Sequence, residues 1–106
     1  MKDVKVFQLP NGREPFEEWA KNLPQETRAV IDAYIDRIAL GGGKKNIRAL
    51  KDGVFEIKIN QGPGWRVYFG EDSKNILLLL IGGNKGSQNR DIKKAKEYWR
   101  IYAQKQ

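Results

Sequence analysis

The chain of 106 residues contains no cysteine and no histidine. Without cysteine it has no disulfide bond, no thiolate nucleophile and no cysteine-ligated zinc site. Without histidine it lacks the commonest general base and the commonest metal ligand. Any acid–base chemistry must therefore use lysine, arginine, tyrosine, glutamate or aspartate, and we expect no metal and no other cofactor.

Long apolar runs are also absent, since no stretch of the sequence is long enough and apolar enough to span a membrane. The first ten residues, MKDVKVFQLP, do not have the architecture of a signal peptide. We therefore expect a cytoplasmic protein without a membrane partner. The length predicts a single domain, residues 1–106, with a modest core.

Positive charge, in contrast, is abundant and unevenly distributed. The net charge of +7 comes from 20 Lys/Arg and 13 Asp/Glu. Residues 1–43 hold six Lys/Arg and seven Asp/Glu, a net of −1, whereas residues 44–106 hold fourteen and six, a net of +8. We interpret residues 44–51, KKNIRALK, as a basic connector. A basic half beside a neutral half indicates a polyanionic partner, and a merely solvated basic surface is the alternative.

Residues 53–86 organise the chain as three consecutive antiparallel strands. Apolar and polar side chains alternate over residues 54–60 and again over residues 65–69, which is typical of half-buried strands. The Gly-Pro-Gly sequence at residues 62–64 predicts the turn of a hairpin between them. The continuous apolar run at residues 76–81 predicts a central strand that is covered on both faces.

The register of the hairpin follows from its apolar faces. In an antiparallel hairpin, the residue numbers of every directly opposed pair have the same sum. The apolar faces coincide only if this sum is even, and a turn centred on Gly62 makes it 124. Lys58 then lies opposite Arg66, and Glu56 lies opposite Tyr68. Two cations directly across a strand pair repel each other. The sheet must either screen this pair with water or use it to hold an anion.

The remaining elements are predicted from periodicity and from proline and glycine. Residues 4–9 predict a short opening strand, and apolar residues at helical spacing predict helices at about residues 15–22 and 24–40, packed as a hairpin on the sheet. A turn is expected at residues 70–73, and a strongly basic last helix from about residue 87. The predicted fold class is α+β, a small antiparallel sheet of 3–4 strands with an N-terminal helical hairpin and a C-terminal helix.

Several of these motifs occur together in a known family. L-x-x-G-x-F-E-I-K-I from Leu50, W-R-V-Y-F from Trp65 and LLLLIGGNKGSQNRDIKKAKEYW from Leu77 resemble the RelE/ParE superfamily of toxins from bacterial type II toxin–antitoxin modules. The chain looks most similar to the HigB-like, phage-derived addiction module killer branch. The resemblance covers most of the chain. It implies a small toxin that cleaves mRNA, usually on the ribosome, without a metal or a small-molecule cofactor, and that a cognate antitoxin neutralises.

The resemblance also implies a set of site residues. Members of the family surround the scissile phosphate with cations from two neighbouring strands and from the loop after the last strand. By position these cations are Lys58, Arg66 and Lys85. Glu56 falls where some members carry lysine and others an acidic residue, and Arg90 is a candidate for an arginine that many members carry after the last strand. The histidines that some HigB-type members use are absent, so their acid–base scheme does not transfer to this chain.

Elementary chemistry agrees with this outline. RNA supplies its own nucleophile, the 2′-OH, so the enzyme must align it, stabilise charge on the phosphate and assist the leaving 5′-oxygen. We expect Arg66 to clamp the phosphate and Lys85 to stabilise its charge. The general base is either Lys58, because neighbouring cations favour the neutral amine of a lysine, or Glu56 on the same face. Tyr68 is a candidate proton donor or a ring on which a base stacks.

The last helix contributes further candidate contacts with RNA at Arg90, Lys93 and Lys94. The same basic surface is also a candidate docking element for an acidic antitoxin segment. Tyr98 and Tyr102 are candidates for a tyrosine that some members use near the C-terminus.

Two other functions stay open on the sequence alone. A ParE-type toxin poisons DNA gyrase without cleaving nucleic acid, and a non-catalytic, phage-derived nucleic-acid-binding protein needs charge alone. A cluster of Lys58, Arg66 and Lys85 favours the nuclease, because a gyrase poison needs no group of cations around a phosphate.

Overall fold

The structure, a computed structural model, describes residues 1–72 and 75–105, and these contain five strands and three α-helices. The strands are β1 (Asp3–Val6), β2 (Ile47–Ala49), β3 (Val54–Ile59), β4 (Trp65–Asp72) and β5 (Ile76–Gly83). The helices are α1 (Pro15–Ala20), α2 (Gln25–Ala39) and α3 (Gln88–Gln104). Short 3-10 helices at Lys44–Asn46 and Lys85–Ser87 precede β2 and α3.

The predicted helix boundaries follow from proline and glycine. Pro15 begins α1 and Pro24 caps α2, positions at which a missing N–H removes no helical hydrogen bond. After α2, Gly41 has a φ of 96° and the Gly42 N–H donates to the Arg37 carbonyl over 2.9 Å. This backbone arrangement satisfies the last helical carbonyls, and it needs a residue that tolerates positive φ.

The hairpin of β3 and β4 has the predicted register. Lys58 lies opposite Arg66, and Glu56 lies opposite Tyr68. The turn residue Gly62 has a φ of 57°, which glycine adopts without strain. Alternation and turn chemistry therefore sufficed to align these two strands.

The sheet is larger than predicted and is not purely antiparallel. It has five strands in the order β1-β5-β4-β3-β2, and β1 runs parallel to β5. β2 lies inside the segment that the sequence indicates as a basic connector, and it pairs with β3 so that Ile47 lies opposite Ile57. The expectation of 3–4 strands is wrong because an edge strand of three residues has too few alternating positions to show a period of two.

Two strand boundaries also differ from those predicted. β1 spans Asp3–Val6, whereas residues 4–9 were predicted, and the backbone soon turns, with the Gly12 N–H donating to the Leu9 carbonyl over 2.8 Å. β4 continues through Asp72 and stays paired with β5, so the turn predicted at residues 70–73 begins later. Ser73, the last residue of that predicted turn, lies outside the described residues.

Helices cover both faces of the sheet. α1 and α2 form one core with buried side chains of β3, β4 and β5 that include Ile57, Val67 and Leu77. α3 packs on the opposite face, where Tyr68 and Leu80 are fully buried. The run at residues 76–81 is thus a strand covered on both faces, as predicted. The face under α3 is also the face that carries Glu56, Arg66 and Tyr68.

Candidate functional site

The three predicted cations meet at one end of the sheet, where β3 ends, β4 begins and β5 ends. Lys58 lies opposite Arg66, and Arg66 lies opposite Gly83 on β5. Lys85 follows two residues later. Arg66 and Lys85 both approach Gly64. If Gly64 had a Cβ atom, this atom would lie 3.3 Å from Arg66 Nη1 and 3.5 Å from Lys85 Cβ. The structure thus brings the three residues together, while their roles stay predictions.

Arg66 is buried and its guanidinium group is held in place. Its side chain is only 7% exposed. The Nη1 atom donates to the carbonyls of Gly64 (3.0 Å) and Trp65 (3.3 Å). The Nε atom is buried, lies 4.0 Å from Glu56 Oε1 and makes no hydrogen bond within the described residues. A buried cation of this kind needs a nearby carboxylate, because leaving it unpaired in a low dielectric is costly.

Glu56 is that carboxylate, and several donors share it. Its side chain is 4% exposed. Gln88 Nε2 donates to Glu56 Oε2 over 2.7 Å, and Arg48 Nη2 lies 3.2 Å from Oε1. Both carboxylate oxygens of Glu56 are thus engaged by donors of the protein, and the side chain is nearly closed to solvent. The geometry favours a positioning role for Glu56 over the alternative that it is the general base.

The first turn of α3 is fixed to the end of β5. The Asn84 side chain accepts from the Ser87 N–H, and the Ser87 hydroxyl donates to the buried carboxylate of Asp91. A Cβ atom on Gly83 would lie 1.9 Å from Asp91 Oδ2, so only glycine leaves room for this carboxylate over the strand. The exposed Arg90 has its Nε atom 3.7 Å from Asp91 Oδ1. These contacts set the position of the loop that carries Lys85.

Tyr68 is fully buried between the sheet and α3, with 0% of its surface exposed. Its hydroxyl has no hydrogen-bond partner in the described part of the chain. Burial, and then the negative charges of Glu56 and Asp91, raises the pKa of the Tyr68 phenol above its ordinary value. The expectation that an RNA base stacks on this ring does not fit the structure, because neither face of the ring is accessible.

Replacing Tyr68 with phenylalanine is expected to leave the free energy of unfolding at pH 7 unchanged or to raise it by about 1 kcal/mol, because a buried hydroxyl without a partner is removed. Wild-type stability should fall as the pH rises above about 10, since the unfolded phenol then ionises while the buried phenol keeps its proton. The variant should lose less stability over this alkaline range. Urea unfolding of both proteins at neutral and alkaline pH, with the half-buried Tyr34→Phe as the control, measures the difference. An identical alkaline decline in the Tyr68→Phe variant and the wild type would contradict it.

The exposed cations lie around the buried cluster. Lys58 and Lys85 are exposed, and neither forms an ion pair within the described residues. Arg90, Lys93 and Lys94 are exposed on the first half of α3, where spacings of three and four residues put them on one side of the helix. These five residues are therefore accessible to a polyanion, in contrast to Glu56 and Tyr68.

The two tyrosines near the C-terminus lie away from this end of the sheet. Tyr98 stacks on Phe7 with the ring centroids 5.3 Å apart, and the Tyr102 hydroxyl donates to Asp72 Oδ2 over 2.8 Å. Asp72 ends β4, whereas Arg66 is the second residue of that strand, so about 20 Å separate their backbones. Both tyrosines fix α3 to the sheet.

Sequence reasoning missed three residues of the cluster: Arg48, Gln88 and Asp91. Arg48 lies opposite Glu56, but this is visible only once β2 is known to be a strand. Gln88 reaches Glu56 over 32 residues of sequence. Asp91 had a weak local signal, since it follows Ser87 by one helical turn at the start of a helix, where carboxylates are favourable.

Metal ligands and membrane-spanning segments are not found in residues 1–72 and 75–105. No group of three or more acidic side chains there is close enough together to hold a metal ion. None of the helices in this part of the chain is both long and apolar enough to cross a bilayer.

Two comparisons with known proteins found similar sequences. The model of a family described as "Phage derived protein Gp49-like (DUF891)" matches residues 18–100. An uncharacterized protein of Haemophilus influenzae strain Rd is 38% identical to this chain over 82 residues, which are 76% of this chain and 82% of that protein. The matched region contains α2, strands β2 to β5 and most of α3, and thus the whole cluster described above.

Proposed function

This chain belongs to the Gp49-like family of phage-derived proteins, and we propose that it is the toxin of a type II toxin–antitoxin module that cleaves translated mRNA without a metal ion. A phage-derived family is consistent with an addiction module. We also propose that its fold is of the RelE/ParE type and that it belongs to the HigB-like branch.

One arrangement supports this function above all others. A buried arginine with a fixed guanidinium group lies between two exposed lysines that have no acidic partner within the described residues. A basic surface that is only solvated does not need to bury Arg66 or to supply Glu56 as its counter-ion. A phosphate group placed at Gly64 would lie beside Arg66 Nη1 and Lys85, and it would supply the negative charge that Lys58 and Lys85 lack.

The chemistry assigned to the site is an internal transfer within RNA. The ribose 2′-oxygen forms a bond to phosphorus, and the bond from phosphorus to the 5′-oxygen breaks. A proton passes from the 2′-OH to a base, and the 5′-oxygen takes one from water. Arg66 holds the non-bridging phosphate oxygens, and Lys85 stabilises the added negative charge. The amine of Lys58, exposed and unpaired on the adjacent strand, accepts the proton of the 2′-OH.

Growth and mRNA integrity after induced expression test this function. Wild type should arrest growth and should produce new mRNA 5′ ends within translated codons. The Lys58→Ala and Lys85→Ala variants should produce about tenfold fewer of these ends or less, because the first loses the proposed proton acceptor and the second loses a cation at the phosphate. Both positions are exposed and unpaired, so the variants should fold like wild type.

Lys105→Ala is the matched control, because this exposed lysine directly follows α3, about 26 Å along the helix axis from Gln88. It should cleave like wild type. Growth arrest with intact mRNA would exclude the nuclease and favour a gyrase poison of the ParE type. Normal growth in every strain would indicate that the protein is a binding protein or an inactive toxin.

The partner expected from this function is a cognate antitoxin with an acidic segment. Arg90, Lys93 and Lys94 form an exposed basic stripe that begins beside Lys85. An acidic segment on this stripe would compete with RNA phosphates for the same cations. The ribosome would supply the mRNA in an extended form, and the same stripe would then contact its backbone.

A further inference from the structure

β1 is an edge strand whose outer side is open. Among the strands of the described residues, its one neighbour is β5. The Asp3 N–H donates to the Asn75 carbonyl (3.0 Å) and the Phe7 N–H donates to the β5 backbone (2.9 Å), so the odd-numbered residues of β1 face β5. In a parallel pair the alternate residues, Val4 and Val6, direct their N–H and C=O groups to the other side. This side is therefore a template for another strand.

The side chains of this edge are exposed and unpaired. Asp3, Val4 and Lys5 are all exposed, and neither Asp3 nor Lys5 forms an ion pair or a side-chain hydrogen bond within the described residues. Edge strands that avoid pairing often carry charges of one sign, which repel a second copy. Here an acid and a base flank one apolar residue, so the strand is complementary to itself.

Only one antiparallel register of two β1 strands satisfies these charges. If Val4 of one copy pairs with Val4 of the other, the two valines exchange both backbone hydrogen bonds. Asp3 of each copy then lies opposite Lys5 of the other, which gives two attractive pairs. A shift that centres the pairing on Lys5 would oppose two lysines. The Lys2 N–H already donates to the Ala39 carbonyl, which confines the pairing to residues 3–5.

The surroundings of β1 also favour a second copy of this chain. The exposed large hydrophobic side chains of the described residues are Met1 (93% exposed), Val4 (39%) and Leu40 (68%). Met1 and Leu40 line a shallow pocket beside the start of β1, so all three lie at this edge. Residues 1–43 carry a net charge of −1, whereas the rest of the chain carries +8. Repulsion between two copies is therefore smallest when their N-terminal parts meet.

We infer that two copies of this chain associate through antiparallel pairing of their β1 strands, with Val4 on the twofold axis and Asp3 of each copy opposite Lys5 of the other. The two sheets then join into one sheet of ten strands. The cluster around Arg66 lies at the ends of β3, β4 and β5 and stays accessible in this dimer. Association does not depend on the function proposed above.

Charge reversal at residues 3 and 5 tests the register. Wild type should shift from monomer to dimer in sedimentation equilibrium between about 10 µM and about 1 mM, the range expected of a small interface. Lys5→Asp and Asp3→Lys each replace two attractions with two repulsions, and each should weaken dimerisation about tenfold or more. The Asp3→Lys/Lys5→Asp double variant restores both pairs and should dimerise like wild type.

A mixture of the two single variants gives the sharpest result. The Asp3→Lys variant carries lysine at both positions 3 and 5, and the Lys5→Asp variant carries aspartate at both. Each variant alone should dimerise poorly, but one copy of each should form a heterodimer. Lys21→Asp, at an exposed position outside the strand, has the same net charge as Lys5→Asp and should dimerise like wild type. A wild type that stays monomeric to about 1 mM, or a mixture that stays monomeric, would overturn the inference.

Discussion

Replacing Glu56 with alanine is expected to lower the free energy of unfolding by about 3 kcal/mol or more, out of a total of about 5–15 kcal/mol for a domain. The reason is that Arg66 stays buried after its carboxylate is gone. Its Nη1 atom keeps two carbonyl contacts, but the charge on the guanidinium is no longer balanced within the buried cluster. Gln88 also loses its acceptor, so the first turn of α3 loses a contact with the sheet. Urea unfolding followed by circular dichroism measures this loss.

Two further variants separate the buried charge from other effects of the substitution. Glu56→Leu combined with Arg66→Met removes both charges and should be less destabilising than Glu56→Ala, because no ion is then left unpaired in the core. Glu17→Ala removes a half-exposed carboxylate that pairs with Arg28, and it should cost less than about 1 kcal/mol. If Glu56→Ala cost no more than Glu17→Ala, Glu56 would not be the counter-ion of Arg66.

Arg66→Lys is expected to lower the rate of mRNA cleavage about 100- to 1000-fold while the protein stays folded. The substitution keeps a cation near Glu56, so the buried charge stays balanced. A lysine ammonium, however, cannot hold two backbone carbonyls with one nitrogen and present others to a phosphate, as a planar guanidinium can. Single-turnover cleavage of ribosome-bound mRNA measures the rate, and circular dichroism reports the fold.

Arg100→Lys is the matched control for this effect, because Arg100 is exposed near the far end of α3. It should cleave at the wild-type rate. A folded Arg66→Lys variant that also cleaved at the wild-type rate would show that the guanidinium group is not the phosphate clamp. The proposed site would then have to be built from Lys58 and Lys85 alone.

The local part of the site was predictable from the sequence. The alternation of residues 54–60 and 65–69 and the turn at Gly62 predicted that Lys58 lies opposite Arg66, and the structure confirms this. Such a prediction succeeds because a hairpin pairs residues that are close in sequence, and because a slip by one residue would turn every apolar side chain away from the core. Lys85 was placed near the other two only by the resemblance to the RelE/ParE superfamily.

The partners of Arg66 were not predictable in the same way. Arg48 reaches Glu56 from a strand that carries almost no periodic signal. Gln88 reaches Glu56 from α3, which follows β5 in the sequence, whereas Glu56 lies on β3 before it. Tyr68 alternates like a side chain facing solvent, yet α3 covers it completely. Whether a polar strand residue faces water or a helix is decided by packing between distant segments, which no local pattern records.

The amino-acid sequence thus predicted the α+β class, the β3–β4 register, which puts Lys58 opposite Arg66, and the starts of α1 and α2. These features depend on periodicity, on proline and glycine and on short-range pairing. Only the tertiary structure decided that the sheet has five strands, that β1 leaves an open edge, and that Glu56, Arg66 and Tyr68 lie buried beneath α3. These groups are buried because an element distant in sequence covers them, and the packing free energy of that element depends on contacts throughout the folded molecule.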